Sequence, residues 1–347
     1  MTASNLTQIC ELVLDACKAK KDEKIILLTS ESFDEEVLSA YSAALTRRET
    51  DYVRMILPSR FKSGKYLSPA GPTAMKMIEN ADLVIDIVSK FPTWQINIDL
   101  YSDEFYKILQ FGCRWQTVTI SNPEVNLPRL APSSETARLS HEGARKMQNA
   151  RRIKITSPNG TELTLNKEGR KGSYQGLGAS EPGRWDNFGW CLISTAPIED
   201  SANGVIVADS NDAILGIGDS TIFLEEPTTF EIKDGLITRV SGGLTARRIT
   251  RFLEEHDKET AGVAHAGWGT QTGSVWSESP MVTYADVEGF LGGVTIHFGI
   301  NIYDCPAKHC GLGGKRRADS HWGGITSLQN DFDLDGELVV KNGKVVY

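Results

Sequence analysis

Three histidines occupy the positions best suited to chemistry. His265 lies in ETAGVAHAGWGTQTG, His297 in GGVTIHFGIN and His321 in GGKRRADSHWGG, spread over 57 positions, each with a glycine within three residues. Glycine lets a backbone approach a small site closely, and neutral imidazole is the commonest side-chain ligand for iron, zinc, copper and nickel. The pattern therefore points to a metal site. It does not point to a nucleophile: no Gly-x-Ser-x-Gly, no His-Glu-x-x-His and no cysteine with a plausible adjacent base occurs. His141, His256 and His309 stand in charged surroundings and read as background.

A second constellation is SEPGRWDNFGW, residues 180–190, which mixes Trp185, Phe188 and Trp190 with Glu181, Arg184 and Asp186. Aromatic walls with a few fixed charges suit a pocket for a flat polar ring. The same residues equally suit a loop pinned by an arginine–carboxylate pair over packed tryptophans. Glu181, Arg184 and Asp186 are the substrate-binding candidates on the first reading. The adjacent Glu225 and Glu226 would face opposite sides of a strand. Asp331, Asp333 and Asp335 precede a hairpin turn and lack the calcium-loop pattern.

The elements that must carry these residues fall into two textures. In the first 120 residues, helical spacing over 5–20, 35–46 and 68–80 alternates with strand-like runs at 24–30, 52–58, 81–88 and 115–120, which predicts a parallel sheet covered on both faces. No glycine-rich nucleotide loop follows any of these strands, so this half reads as a scaffold. Asn122–Ser134, with three prolines, is the linker candidate, and a helix is expected over 135–150. Beyond it, hairpins with Asn-Gly and Asp-Gly turns dominate, with one helix near 246–253. The expected architecture is an α/β class chain: a parallel-sheet scaffold domain at 1–130, then a β-rich α+β metal-binding catalytic domain at 135–347.

Composition narrows the function. The chain has 347 residues and a formal net charge of −8, which argues against a nucleic-acid backbone binder. No apolar run approaches the roughly 18 residues of a membrane span, and the N-terminus lacks a secretory pattern, so a cytoplasmic location is expected. The six cysteines read as buried reduced thiols. Cys305-Pro-Ala-Lys-His309-Cys310 has the look of a metal knuckle, but no second ligand pair follows at finger spacing.

The segments EPGRWD (181–186), PIEDSANGVIVAD (197–209), DGLITRVSGG (234–243), AHAGWGTQ (264–271), GGKRRADSH (313–321) and the closing LDGELVVKNGKVV together resemble the aminopeptidase T-like metallopeptidase family, nearest its 2,5-dihydroxypyridine 5,6-dioxygenase branch. The resemblance implies an N-terminal α/β domain and a C-terminal metal-binding domain. The peptidase branch places glutamate ligands where this chain has Leu192 and His265, which disfavours a bridged two-metal peptidase centre. The dioxygenase branch implies one Fe(2+) held by two histidines and an aspartate, with His265 and His321 as the matching histidines. Its aspartate falls at Gly323. His297, at a metal-binding histidine of the peptidase branch, is then expected to complete the set, with Asp319 as the alternative carboxylate.

The implied activity is a mononuclear non-haem iron dioxygenase that opens a hydroxylated, N-heterocyclic aromatic ring. Its partners would be a small aromatic substrate, O₂ and further copies of the chain, with no nucleic acid and no membrane. A metal-dependent hydrolase of an amide or lactam is the alternative, with Asp319 or Glu181 as catalytic base. A non-catalytic binding protein on the same fold is the third reading.

Overall fold

Aliphatic and β-branched runs in the first 120 residues form the middle of a parallel sheet. The computed structural model describes residues 3–30, 35–58, 60–62, 65–67, 71–88, 100–120, 122–217, 220–279, 282–302, 305–308 and 310–347. His309 and residues 68–70 of the third expected helix lie outside them. Strands Tyr52–Leu57, Ile25–Ser30, Leu83–Val88 and Arg114–Thr119 pair in parallel in that spatial order. Alternate residues face opposite sides of a strand. Ile25, Leu27, Leu83 and Ile85 accordingly pack under helices Ala3–Ala16 and Glu35–Arg47. Ile26, Leu28, Val84 and Trp115 pack on the other face under helices Pro72–Ile78 and Asp103–Gln110. The last of these helices starts at Ser102, whose side chain accepts from the Phe105 N–H at 3.2 Å and satisfies a free helix-end donor.

The fifth strand of this sheet comes from the other half of the chain. Trp185–Asn187 runs parallel to Arg114–Thr119, pairing Trp185 with Trp115 and Asn187 with Thr117. The remainder of the second half forms two antiparallel sheets of seven and eight strands. Trp268, Phe298, Trp322, Ile325 and Phe332 fill the space between them, with the Phe298 and Trp322 rings stacked at 4.7 Å. Among the described residues, no helix is long and apolar enough to cross a membrane.

Two expectations are corrected. Cys305 and Cys310 are not reduced thiols but a disulfide, closed across a tight turn that brings their Cα atoms within 5.2 Å; Cys10, Cys17, Cys113 and Cys191 are free and buried. The proline-rich stretch at 122–134 is not a solvated linker. It holds a short helix, Pro123–Asn126, and the fully buried side chain of Arg129.

Arg129 Nε donates to Asp286 Oδ1 at 3.1 Å, and both side chains are wholly excluded from solvent. Its other nitrogens donate to the carbonyls of Thr119 (2.6 Å) and Phe188 (3.2 Å). Asp286 Oδ2 also accepts from Asn126 Nδ2 and the Thr283 N–H. This fastens helix Tyr284–Glu288 to the end of the parallel sheet. Removing one member of a buried, fully bonded pair leaves the other charge without compensation. Arg129→Ala is expected to lower unfolding free energy by about 3–5 kcal/mol, read from urea denaturation.

Candidate functional site

The three histidines sit on neighbouring antiparallel strands. His265 belongs to Val263–Gly269, His297 to Val294–Gly299 and His321 to His321–Ser327. His265 pairs directly with His297, and His321 with Gly299. The ladders shift register beside His265 and again beside His297, and such bulges re-aim side chains next to functional sites. Ile296 and Phe298 point into the inter-sheet core. His297, between them, therefore faces the opposite side, into a cavity between the two halves of the molecule.

In that cavity one nitrogen from each of His265, His297 and His321 lies within 4.8 Å of the other two. His321 Nδ1 is 2.8 Å from the Ile300 carbonyl, which must accept from it, so Nε2 presents its lone pair. That Nε2 is 3.1 Å from His297 Nδ1, and His297 Nε2 is 2.5 Å from Glu288 Oε1. The His265 ring stacks on His297 at 4.0 Å, and its Nδ1 is buried without a hydrogen-bond partner. Burial pushes the pKa of His297 and of His321 down to about 3, and His297 adds to the effect on His321. His265 falls well below the ordinary range through burial and its two histidine neighbours. Burial raises the Glu288 carboxyl, and neither of its oxygens has a hydrogen-bond partner. Neutral imidazoles with inward lone pairs, one of them orphaned, fit a metal ion.

The walls are aromatic and amide. Tyr101, Trp185, Trp190 and Tyr284 line the cavity with Gln175, Asn187 and Ser194. Leu192 also lines it. Trp190 and Tyr284 meet edge-to-face at 5.4 Å. Asn187 is buried, and its Oδ1 has no hydrogen-bond partner.

The charged residues singled out in 180–190 are placed differently. Trp185 and Asn187 share the cavity-facing side of their strand, so Arg184 and Asp186 fall on the other side. Arg184 Nη2 donates to Asp186 Oδ2 at 2.8 Å and to the Tyr174 carbonyl at 3.1 Å, with its guanidinium over the Tyr174 ring. Asp186 Oδ1 accepts from the Gly176 N–H. Glu181, partly exposed, lies 3.5 Å from Arg184 Nη1. These three pin the loop and do not line the cavity. Asp319 is also elsewhere, its carboxylate accepting from Thr260 Oγ1 (2.8 Å) and the Asp257 N–H (3.3 Å) beside the short turn Lys258–Ala261.

Tyr284, Glu288 and Asn187 escaped the sequence reading. Asn187 lay inside the aromatic loop, where its alternation with Asp186 was the available signal. Glu288 carried none, since a glutamate in ADVEGF resembles any solvated helix end.

The lowered histidines make stability depend on acid. Their folded-state pKa values lie below the unfolded value of about 6.5, so their contribution is present above that pH and is lost as pH falls toward the folded values. The raised Glu288 works in the opposite direction. Between pH 7.5 and 5.5, metal-free protein is expected to lose stability in urea, and His265→Leu, which removes one such histidine, to lose less.

A family model for 2,5-dihydroxypyridine 5,6-dioxygenase matches residues 5–347. A 2,5-dihydroxypyridine 5,6-dioxygenase of Pseudomonas putida is 28% identical over 364 aligned residues, covering 100% of this chain and 98% of its relative. A solved 2,5-dihydroxypyridine dioxygenase structure from Pseudomonas putida superposes with a TM-score of 0.84 at 26% identity, covering 100% of this chain and 98% of the other. Wild-type AmpT from Thermus thermophilus, with a TM-score of 0.67 at 15% identity and 99% coverage of both chains, shares the fold. The chain belongs to the 2,5-dihydroxypyridine 5,6-dioxygenase family.

Proposed function

We propose that this chain is a mononuclear non-haem Fe(II) dioxygenase that opens a dihydroxylated pyridine ring. The observation that carries the reading is the convergence of three buried, neutral histidines on an aromatic-walled cavity in a chain matched by the dioxygenase family along nearly its whole length. His265, His297 and His321 would hold the ion. Iron bound there would supply the capacity to bring a chelating, electron-rich ring and O₂ together. Trp185, Trp190 and Tyr284 would sandwich the ring and exclude water, which holds the reacting atoms in one orientation. Asn187 Oδ1, buried and lacking a donor, would accept from the ring N–H of a pyridone tautomer or from a hydroxyl.

The test is metal analysis of anaerobically purified protein, with O₂ uptake on 2,5-dihydroxypyridine, an aminophenol and gentisate. Iron with uptake on the pyridine is expected; zinc without uptake would favour the hydrolase. His265→Ala and His321→Ala are each expected to lose most bound metal while keeping the fold, as read by circular dichroism. Asn187→Ala is expected to raise KM for the pyridine several-fold, the worth of one neutral hydrogen bond at about 1 kcal/mol, with metal content unchanged.

A further inference from the structure

Three neutral histidines leave a divalent cation without a compensating carboxylate, and the two positions the sequence suggested do not supply one. Asp319 is engaged with Thr260 and Asp257. At Gly323, any side chain is blocked: a Cβ there would run into the Tyr284 hydroxyl and lie 2.7 Å from Leu215 Cβ. Tyr284 therefore fills the space that an aspartate side chain at 323 would need. Among the described residues lining the cavity there is one carboxylate, Glu288, one turn along the same short helix from Tyr284. It is wholly buried, and its Oε1 stands 2.5 Å from His297 Nε2.

We infer that Glu288 is the positioning carboxylate of the metal centre, acting through His297. This rests on the metal-centre reading above. His297 Nδ1 faces His321 Nε2 at 3.1 Å, so an ion held by these two nitrogens would take a lone pair from Nδ1. Both Glu288 oxygens are buried with no hydrogen bond to satisfy them, and a ring proton on Nε2, 2.5 Å from Oε1, would provide one. A ligating imidazole whose second nitrogen donates to a carboxylate is fixed in tautomer and orientation and becomes a stronger donor. His321 is held in the same way by the Ile300 carbonyl. Glu288 contacts Nε2 of His297, while His321 faces its Nδ1, which would put the carboxylate behind the ligating nitrogen.

The test is Co(II) binding to metal-free, full-length protein by chelator competition, with the visible spectrum of the bound ion recorded. Wild type, Glu288→Ala, Glu288→Gln, His297→Ala and the His297→Ala/Glu288→Ala double variant would be compared. Glu288→Ala is expected to weaken binding about 10–100-fold, the usual effect of removing such a partner. Glu288→Gln, which still accepts the Nε2 proton but without charge, should fall between it and wild type. In the His297→Ala background the second change should cost little, because the group through which Glu288 acts is gone. The spectrum should keep its coordination number in both Glu288 variants. Affinity within about twofold of wild type in Glu288→Ala and Glu288→Gln would overturn the inference, as would an equal loss with and without His297 or a lost ligand in the spectrum. Failure of wild type to bind Co(II) would instead bring down the metal-centre reading itself.

Discussion

The buried contact between Arg129 and Asp286 is the constraint on which the site's geometry depends. Neither charge reaches solvent, so each must find all its partners inside the protein. Meeting that requirement draws together the end of the parallel sheet at Thr119, the loop at Phe188, helix Pro123–Asn126 and the start of helix Tyr284–Glu288. That last helix carries the two side chains that stand over His297. Gln271 reinforces the junction by donating to the carbonyls of Arg129 and Gly189. A helix of five residues has little stability of its own, and its position is set by this polar knot and the capping box at Thr283 and Asp286.

The cavity shows the same division of labour. The seven-stranded sheet supplies rigid positions for the three histidines, while the strand Trp185–Asn187 supplies a wall from the edge of the other sheet. Arg184 and Asp186 bond backwards, to the Tyr174 carbonyl and the Gly176 N–H, which holds Trp185 and Asn187 toward the cavity. The charged residues of this loop thus act on the site through the aromatic and amide residues between them. Their burial explains why: an ion pair satisfied on every side has no vacancy for a ligand.

Histidines deprived of water remain neutral and therefore keep their lone pairs. The Ile300 carbonyl fixes which nitrogen of His321 faces inward, and Glu288 Oε1 stands 2.5 Å from His297 Nε2. Burial sets a histidine's charge state, and a hydrogen-bonded neighbour sets its orientation. Gly323 leaves room for Tyr284, whose hydroxyl lies where a side chain at 323 would stand.

Much of the frame was legible in the residues. The strands at 25–30, 52–57, 83–88 and 114–119 followed their apolar runs because a parallel sheet buried on both faces demands such runs. The alternation of Thr295, Ile296, His297 and Phe298 showed that His297 faces away from the core. The histidine trio stood out by its residue type and its three similar glycine-flanked contexts. What the chain's local pattern did not contain was which side chains would meet across elements. Whether Arg184 touched a ligand or a neighbour depended on the crossing of Trp185–Asn187 into the first sheet, a pairing between residues about 70 positions apart. Arg129, in a stretch rich in proline, was buried only because Asp286 arrived from 157 residues away. Glu288 acquired its partner through the placement of a five-residue helix. Residue type and periodicity are local properties and fix what an element is; the partners of a buried polar group are set by long-range register and packing, which only the folded chain determines.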